Sequence, residues 1–244
     1  MGAALGKVYL VGAGPGAADL ITVRGARLLA QADVVLYDAL VIPEMLELCG
    51  KADLIAVGKR SGQRSMAQTL INQQLVDCAG KYQLIVRLKG GDPMLFGRAD
   101  EELRALEAAG IEVEIVPGIT TAVAAAAATK QPLTKRGVAR SVAFFTSSTA
   151  PDHPEQRNAA PPALPETDTL VQYMGGREAA ATAERLLAAG RRGDLPVVVV
   201  ENCSRVDQRI MRLTLADLAH GLEPGHGPVL VMLGEALAKR EHQP

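Results

Sequence analysis

Tryptophan is absent, and aromatic residues make up only 3% of the chain. That scarcity argues against a surface that binds single-stranded nucleic acid by stacking bases on aromatic rings. Cysteine is also scarce. Cys49, Cys78 and Cys203 are odd in number and far apart, which fits neither a disulfide framework nor a zinc site and reads as reduced thiols. The four histidines all follow residue 150 without ligand spacing, so no metal is expected. A net charge of −1 supplies no global field that would recruit polyanions. No apolar run reaches membrane-spanning length. The opening Met-Gly-Ala-Ala-Leu-Gly has neither the basic and long apolar segments of a signal peptide nor the Ser or Thr of a myristoylation site. These absences predict a cytoplasmic protein with no membrane and no nucleic-acid partner.

What is present is ordinary for a soluble globular protein: 244 residues, 48% hydrophobic and 22% charged. A chain of this size buries roughly 70–75% of the surface its unfolded form exposes and needs no staples. Short apolar, β-branched runs alternate with helical patterns. Strands are predicted at Lys7–Val11, Val34–Tyr37, Leu54–Val57, Leu84–Leu88 and Glu112–Val116. Helices are predicted after Thr22, from Pro43 to Leu48, from Ser65 to Gly80 and from Asp100 to Gly110. Asp100, Glu101 and Glu102 suit the positive end of the last helix's dipole. Five strands alternating with helices predict an α/β fold with a doubly wound parallel sheet. Pro117-Gly118 is the natural boundary, giving an N-terminal α/β domain over 1–117 and a C-terminal one over 118–244.

Beyond the boundary an Ala-rich helix spans Ile119–Thr129, opened by Thr120 and Thr121. Strands follow at Ser141–Thr146, Thr169–Tyr173, Pro196–Glu201, Gln208–Leu213 and Pro228–Leu233, with a helix over Glu178–Ala189. The short Asn202–Asp207 link predicts an antiparallel pair, hence a mixed second sheet. Five prolines between Ala150 and Thr167 predict an irregular excursion there.

The chemistry-bearing stretch is Arg-Leu-Lys-Gly-Gly-Asp-Pro-Met-Leu-Phe-Gly-Arg, Arg87 to Arg98. Gly90 and Gly91 remove two side chains in succession at a strand's carboxyl end, and Pro93 forbids continuation as a central strand. In an open α/β sheet ligands bind outside the carboxyl ends of the strands, so this turn suits a small polar cofactor, with Asp92 offering acceptors. A tight loop whose Asp92 merely caps the next helix is the competing explanation. Gly12, Gly14 and Ala17 match the dinucleotide pattern G-x-G-x-x-G/A, and the next strand ends in Asp38. A dinucleotide fold, however, starts its helix at the glycines so that the helix amides meet the pyrophosphate. Here Pro15 and Gly16 intervene and helical periodicity waits until Asp19 or Thr22, which makes a dinucleotide-dependent oxidoreductase a distant alternative. Two segments are basic without compensation. No acid lies between Asp53 and Asp77, leaving Lys59, Arg60 and Arg64 for an anionic ligand, and none lies from Ile115 to Pro151, where Lys130, Lys135, Arg136 and Arg140 stand.

Several motifs, in order, carry a family resemblance: Val-Gly-Ala-Gly-Pro-Gly at 11–16, Leu-Tyr-Asp at 36–38, Val-Gly-Lys-Arg at 57–60, Arg-Leu-Lys-Gly-Gly-Asp-Pro at 87–93, Pro-Gly-Ile-Thr at 117–120, Tyr-Met-Gly at 173–175 and Asp-Gln-Arg at 207–209. Together, over about Lys7 to Leu237, the chain resembles the tetrapyrrole (corrin/porphyrin) methylases, most of all the branch that methylates uroporphyrinogen III. The resemblance implies two α/β domains with an active-site trough between them, S-adenosylmethionine as cofactor, no metal, and a homodimer. It implies cofactor contacts at Pro15, Gly90, Gly91, Asp92, Leu95, Thr120, Thr121 and Met174, and, less securely, at Cys203, which stands where a glycine is typical. Asp38 and Lys59 take the family's proton-acceptor and proton-donor places. A polycarboxylate tetrapyrrole would give Arg60, Arg64, Lys135 and Arg136 their partner. Lys135 replaces a common histidine, and Ser147-Ser148 replaces a Gly-His turn. The implied reaction is two successive C-methylations converting uroporphyrinogen III to precorrin-2 for sirohaem or cobalamin. A sister methylase acting on a later corrin precursor or on RNA is the alternative, the RNA version disfavoured because a wider basic surface would be expected. The first strand opens six residues in, so no dehydrogenase and chelatase module is expected in front of it, and precorrin-2 would be passed on.

Overall fold

The computed structural model describes residues 4–57, 68–147, 163–223 and 225–239. The chain forms two compact units, Met1–Thr121 and Ala122–Pro244, each built around its own five-stranded sheet.

In the first unit β1 (Lys7–Gly12), β2 (Val34–Tyr37), β3 (Asp53–Ala56), β4 (Leu84–Lys89) and β5 (Val113–Val116) pair in the order β3-β2-β4-β1-β5. Every pairing is parallel. Parallel strands covered by helices on both faces must be apolar on both, and Val34, Val35, Leu36, Ile85 and Val86 are all fully buried. One face packs against α3 (Gln68–Ala79) and α4 (Ala99–Ala108) through Ile71, Leu75 and Leu106. The other packs against α1 (Val23–Gln31) and the short α2 (Pro43–Leu46) through Leu29 and Met45. At about 1.5–3 kcal/mol for each fully buried large aliphatic side chain, these two seams outweigh any local propensity in α3, whose apolar stripe is weak. Thr22 caps α1, its hydroxyl accepting from the Gly25 amide at 3.1 Å. A single 3-10 turn, Ala18–Leu20, separates that helix from the glycine loop, so the helix terminus is displaced from the glycines.

The second unit carries β6 (Val142–Thr146), β7 (Thr169–Tyr173), β8 (Pro196–Glu201), β9 (Arg209–Thr214) and β10 (Val229–Leu233) in the order β6-β7-β10-β8-β9. Only β6 and β7 are parallel, so the sheet is mixed. β7 and β8 both run antiparallel to β10, which places their carboxyl ends at one edge of the sheet. α6 (Ala179–Ala188) and α7 (Leu215–Ala219) cover one face, and α5 (Thr121–Thr129) covers the other with Ala122 and Ala125. α7 was not anticipated from the sequence. Its signal is a capping box in which the Thr214 hydroxyl accepts from the Asp217 amide while the Asp217 carboxylate accepts from the Thr214 amide. Five residues are too few for periodicity to announce a helix. Among the described residues no helix is long and apolar enough to cross a membrane.

Candidate functional site

Three glycine-bearing loops meet at the carboxyl end of the first sheet. Gly14 and Gly91 exchange amide–carbonyl hydrogen bonds at 3.2 and 2.7 Å, and the Ala13 amide donates to the Lys89 carbonyl at 2.7 Å. A methyl group on Gly12 would run into Gly118 and the Gly91 carbonyl, and one on Gly118 would run into Gly91 and Gly12. The loops after β1, β4 and β5 therefore touch backbone to backbone, which only glycine permits. Gly91 differs from the other two. It sits at φ +69°, and a Cβ there would meet nothing within 4 Å. Its left-handed φ alone favours glycine, and no described atom packs where its side chain would be.

Asp92 is more committed than sequence reading suggests. Its Oδ1 accepts from the Met94 amide at 2.8 Å and its Oδ2 from the Gly118 amide at 2.9 Å, pinning the loop after β4 to the loop after β5. Leu95 lies in the same turn, its amide donating to the Asp92 carbonyl at 3.3 Å. Pro15 lies in the first loop beside Gly14, partly buried. On the neighbouring strand, β2, Asp38 follows Tyr37, and its amide donates to the Leu88 carbonyl at 3.3 Å. Leu40 packs against Gly90, so Asp38 and the Gly90-Gly91-Asp92 turn share one end of the sheet.

Asp38 is held from below. Its Oδ1 accepts from Arg87 Nη2 at 2.5 Å, and the carboxylate side chain keeps 27% of its surface exposed while the guanidinium is 2% exposed. Arg87 Nε donates to Glu102 Oε1 at 3.0 Å, Lys89 Nζ to Glu102 Oε2 at 2.8 Å, and Gln68 Nε2 to Glu102 Oε1 at 3.2 Å. Glu102 has no exposed surface. Glu102 does lie in the acidic first turn of α4, as the sequence predicts, and the structure adds that it is the buried counterion of two strand cations. Arg87 and Lys89 stand two residues apart on β4 and so face the same side as Ile85, toward α3 and α4. Burial opposes the charge on Arg87, but the Asp38 and Glu102 carboxylates outweigh it and its pKa lies above the ordinary arginine value. Burial, with the Arg87 charge beside it, depresses Lys89 below the ordinary lysine range despite Glu102. The motif Arg-Leu-Lys could have flagged this, since two charges at alternate positions of a central strand must find buried partners.

In the second unit the Ala122 amide, at the start of α5, donates to Tyr173 Oη at 3.1 Å. That bond ties the helix opened by Thr120 and Thr121 to the residue preceding Met174. Met174 is 52% exposed and has φ +56°, while Asn202 has φ +51° and Ser204 φ +61°. Three non-glycine residues in the left-handed region thus end the two strands β7 and β8, a concentration of backbone strain typical of ligand-holding turns. Cys203, between two of them, is buried in one cluster with Ala122, Ala125 and Val200, and burial pushes its thiol up to about 11. Lys135 and Arg136 are exposed on a tight turn closed by the Lys135 and Ala139 backbone pair around Gly137. Lys59, Arg60 and Arg64 lie outside the described residues. The structure therefore gathers Asp38, Pro15, Gly90, Gly91, Asp92 and Leu95 in one unit, and Met174 and Cys203 at one sheet edge of the other. Among the described residues no group of three or more His, Cys, Asp or Glu could hold a metal ion.

Comparison with known proteins gives a consistent result. The family model described as Tetrapyrrole (Corrin/Porphyrin) Methylases matches residues 7–219. "Siroheme synthase 1" of Yersinia pseudotuberculosis is 46% identical over 235 residues, covering 96% of this chain and 49% of that protein. The siroheme synthase of Pseudomonas fluorescens (strain SBW25) is 46% identical over 242 residues, covering 97% and 51%. The chain spans about half the length of these curated relatives. Among solved structures, a uroporphyrin-III C-methyl transferase of Thermus thermophilus complexed with S-adenyl homocysteine is 36% identical, with a TM-score of 0.81, covering 95% of this chain and 93% of that one. A cobalt precorrin-4 methyltransferase from cobalamin biosynthesis is 29% identical with a TM-score of 0.77, covering 96% of each chain.

Proposed function

The chain belongs to the tetrapyrrole (corrin/porphyrin) methylases, and from that premise we propose that it is an S-adenosylmethionine-dependent C-methyltransferase converting uroporphyrinogen III to precorrin-2 by two successive methylations. The observation that carries the reading is the pairing of Asp38 with the Gly90-Gly91-Asp92 turn on adjacent strands. A part-exposed carboxylate and a glycine with open space at its side-chain position share one end of the sheet.

S-adenosylmethionine, when bound, supplies an electrophilic methyl group. Gly91 fits such a group because no described atom lies within 4 Å of its side-chain position, and the Gly12 and Gly118 contacts hold that turn rigid. Pro15, Gly90, Asp92, Leu95, Thr120, Thr121, Met174 and Cys203 are the remaining proposed contacts, Asp92 by keeping the turn in place and Cys203 through its backbone. As a pyrrole carbon gains the methyl group, positive charge develops and a ring proton must leave. Asp38 takes that proton at its carboxylate, the Arg87 guanidinium fixing which oxygen faces the substrate. Lys59 serves as proton donor, and Arg60, Arg64, Lys135 and Arg136 bind carboxylates of the tetrapyrrole. A homodimer in the cytoplasm is the proposed working form.

Incubation with S-adenosylmethionine and uroporphyrinogen III should give a product heavier by two methyl groups. Failure to methylate it, with activity on a later precorrin, would favour the sister reading, which the likeness to the cobalt precorrin-4 methyltransferase keeps in view. Calorimetry should show binding of S-adenosylmethionine or S-adenosylhomocysteine and none of NADH, since α1 begins at Val23, well past the Gly12–Gly16 loop. Saturable NADH binding alone would sink the cofactor assignment.

A further inference from the structure

One assembly of buried charges has more order than stability alone requires. Arg87, Lys89 and Glu102 each keep at most 3% of their side-chain surface, and together with Asp38 they form two cations and two anions in balance. A buried ion cluster of this kind contributes no more stability than well-packed aliphatic residues of the same volume. The face it occupies also carries the apolar cluster of Ile85, Leu75 and Leu106, with Gln68 as a neutral polar neighbour. Only one member leaves the core, and that member is Asp38. Glu102 is the hub, accepting from Arg87 and Lys89 on β4 and from Gln68 at the start of α3. The rest of the Arg87 fork is also committed, with Nη1 donating to the Leu88 carbonyl at 3.2 Å. The guanidinium thus has one available rotation, and that rotation presents Nη2 to Asp38 Oδ1.

We infer that Glu102 is a positioning residue for the methyl-transfer step, acting through Arg87 to fix the Asp38 carboxylate. Lys89 neutralises the second oxygen of Glu102, so that Arg87 can be shared between Glu102 and Asp38 without leaving an uncompensated buried charge. This rests on the reading of Asp38 as proton acceptor. A carboxylate held at one oxygen by a fixed fork presents the other in a defined direction, and loss of that direction by about 1 Å costs on the order of 10²-fold in rate.

The test is a double-mutant cycle on turnover. Glu102→Gln should lower kcat by about 10²-fold while leaving S-adenosylmethionine affinity near that of the parent. In an Asp38→Asn background the same change should cost almost nothing further. Equal fold-losses in the two backgrounds, or an effect confined to KM, would overturn the inference. Should Glu102→Gln fail to fold, Lys89→Met combined with Glu102→Gln restores charge balance and carries the same cycle. A second readout does not depend on the substrate. The Arg87 Nε–H proton should give a slowly exchanging NMR signal, identified by its loss in Arg87→Lys, that moves in both Glu102→Gln and Asp38→Asn. A signal indifferent to Asp38→Asn would break the proposed linkage even in a protein that methylates nothing. Absence of methylation by the parent protein, with that signal moving as expected, would count against the substrate reading alone.

Discussion

The two units solve the same problem, holding turns rigid at one end of a sheet, by different chemistry. In the first, glycines let three loops touch through their backbones, and the polar side chain that matters stands on a buried cluster built on ion pairs. In the second, Met174, Asn202 and Ser204 take left-handed conformations without being glycine, as Phe96 and Arg98 also do in the first; the second unit's buried carboxylate, Glu201, accepts from the His226 and Gly227 amides and from Arg209, while the buried network on β7 is neutral. There Gln172 donates to Thr182 Oγ1 at 2.9 Å and to Ser147 Oγ at 3.2 Å. An ion cluster that reaches the surface at Asp38 fits a place where a proton is to be moved, and the neutral Gln172 network beneath a left-handed turn fits a place that only has to hold a ligand.

The contrast is broken most directly at Asp38. If proton uptake belongs to the first unit, Asp38→Asn should lower turnover by about 10²–10⁴-fold while leaving cofactor affinity nearly intact. Near-normal turnover would mean that the proton leaves to water or to a substrate carboxylate. The difference between charged and neutral networks should next appear in stability. Glu102→Leu strands two buried cations and should cost about 3–5 kcal/mol in denaturant unfolding. Gln172→Leu leaves Ser147 and Thr182 bonded to each other at 3.2 Å and should cost about 1 kcal/mol or less. Similar losses for the two would erase the distinction.

How much of this was legible in the chain follows the same division. Glycine and proline act locally, so the turns at Gly12–Gly16, Gly90–Pro93 and Pro117-Gly118, and the strands that end at them, could be read from single residues. The parallel order of the first sheet followed from the alternation of strands and helices. What escaped was tertiary. Asp100, Glu101 and Glu102 look alike in sequence, yet only Glu102 faces Arg87 and Lys89, because which acid of the first turn points inward depends on where α4 docks. Left-handed backbone at Met174 carries no compositional signal, and that position came from family resemblance rather than from residue chemistry. The bond from the Asp92 carboxylate to the Gly118 amide spans 26 residues and was equally invisible.

Backbone conformation gives the next pair of outcomes, and here the two units should respond with opposite sign. Gly91→Val places a branched side chain in the space proposed for the cofactor and should weaken S-adenosylmethionine binding at least tenfold. The fold does not escape either, since φ +69° costs an L-residue about 1–2 kcal/mol. Met174→Gly should also weaken cofactor binding, by removing a contacting side chain, yet raise stability by up to about 1 kcal/mol by relieving φ +56°. Calorimetry and thermal unfolding on the same two variants separate these terms. A destabilised Met174→Gly would mean that the strain is offset by contacts of the methionine itself.

The smallest effect is expected at Cys203, where the second unit departs from the glycine typical of the family. The side chain is 3% exposed and packs with Ala122, Ala125 and Val200, so its sulfur belongs to the core rather than to the ligand space. Burial pushes the thiol to about 11. Only the thiolate is nucleophilic, and at pH 8 it would therefore be roughly one part in a thousand even before access is considered. Iodoacetamide should leave Cys203 unmodified in the folded protein and label it fully in denaturant, with or without S-adenosylmethionine present. Cys203→Gly should change cofactor affinity less than about threefold, because a contact through the backbone survives loss of the side chain. It should lower stability by about 1–2 kcal/mol, through the small cavity left in the core. Rapid labelling of the folded protein that S-adenosylmethionine suppresses would place the sulfur in the binding site, and the second unit would then hold its ligand by a side chain as well as by strained turns.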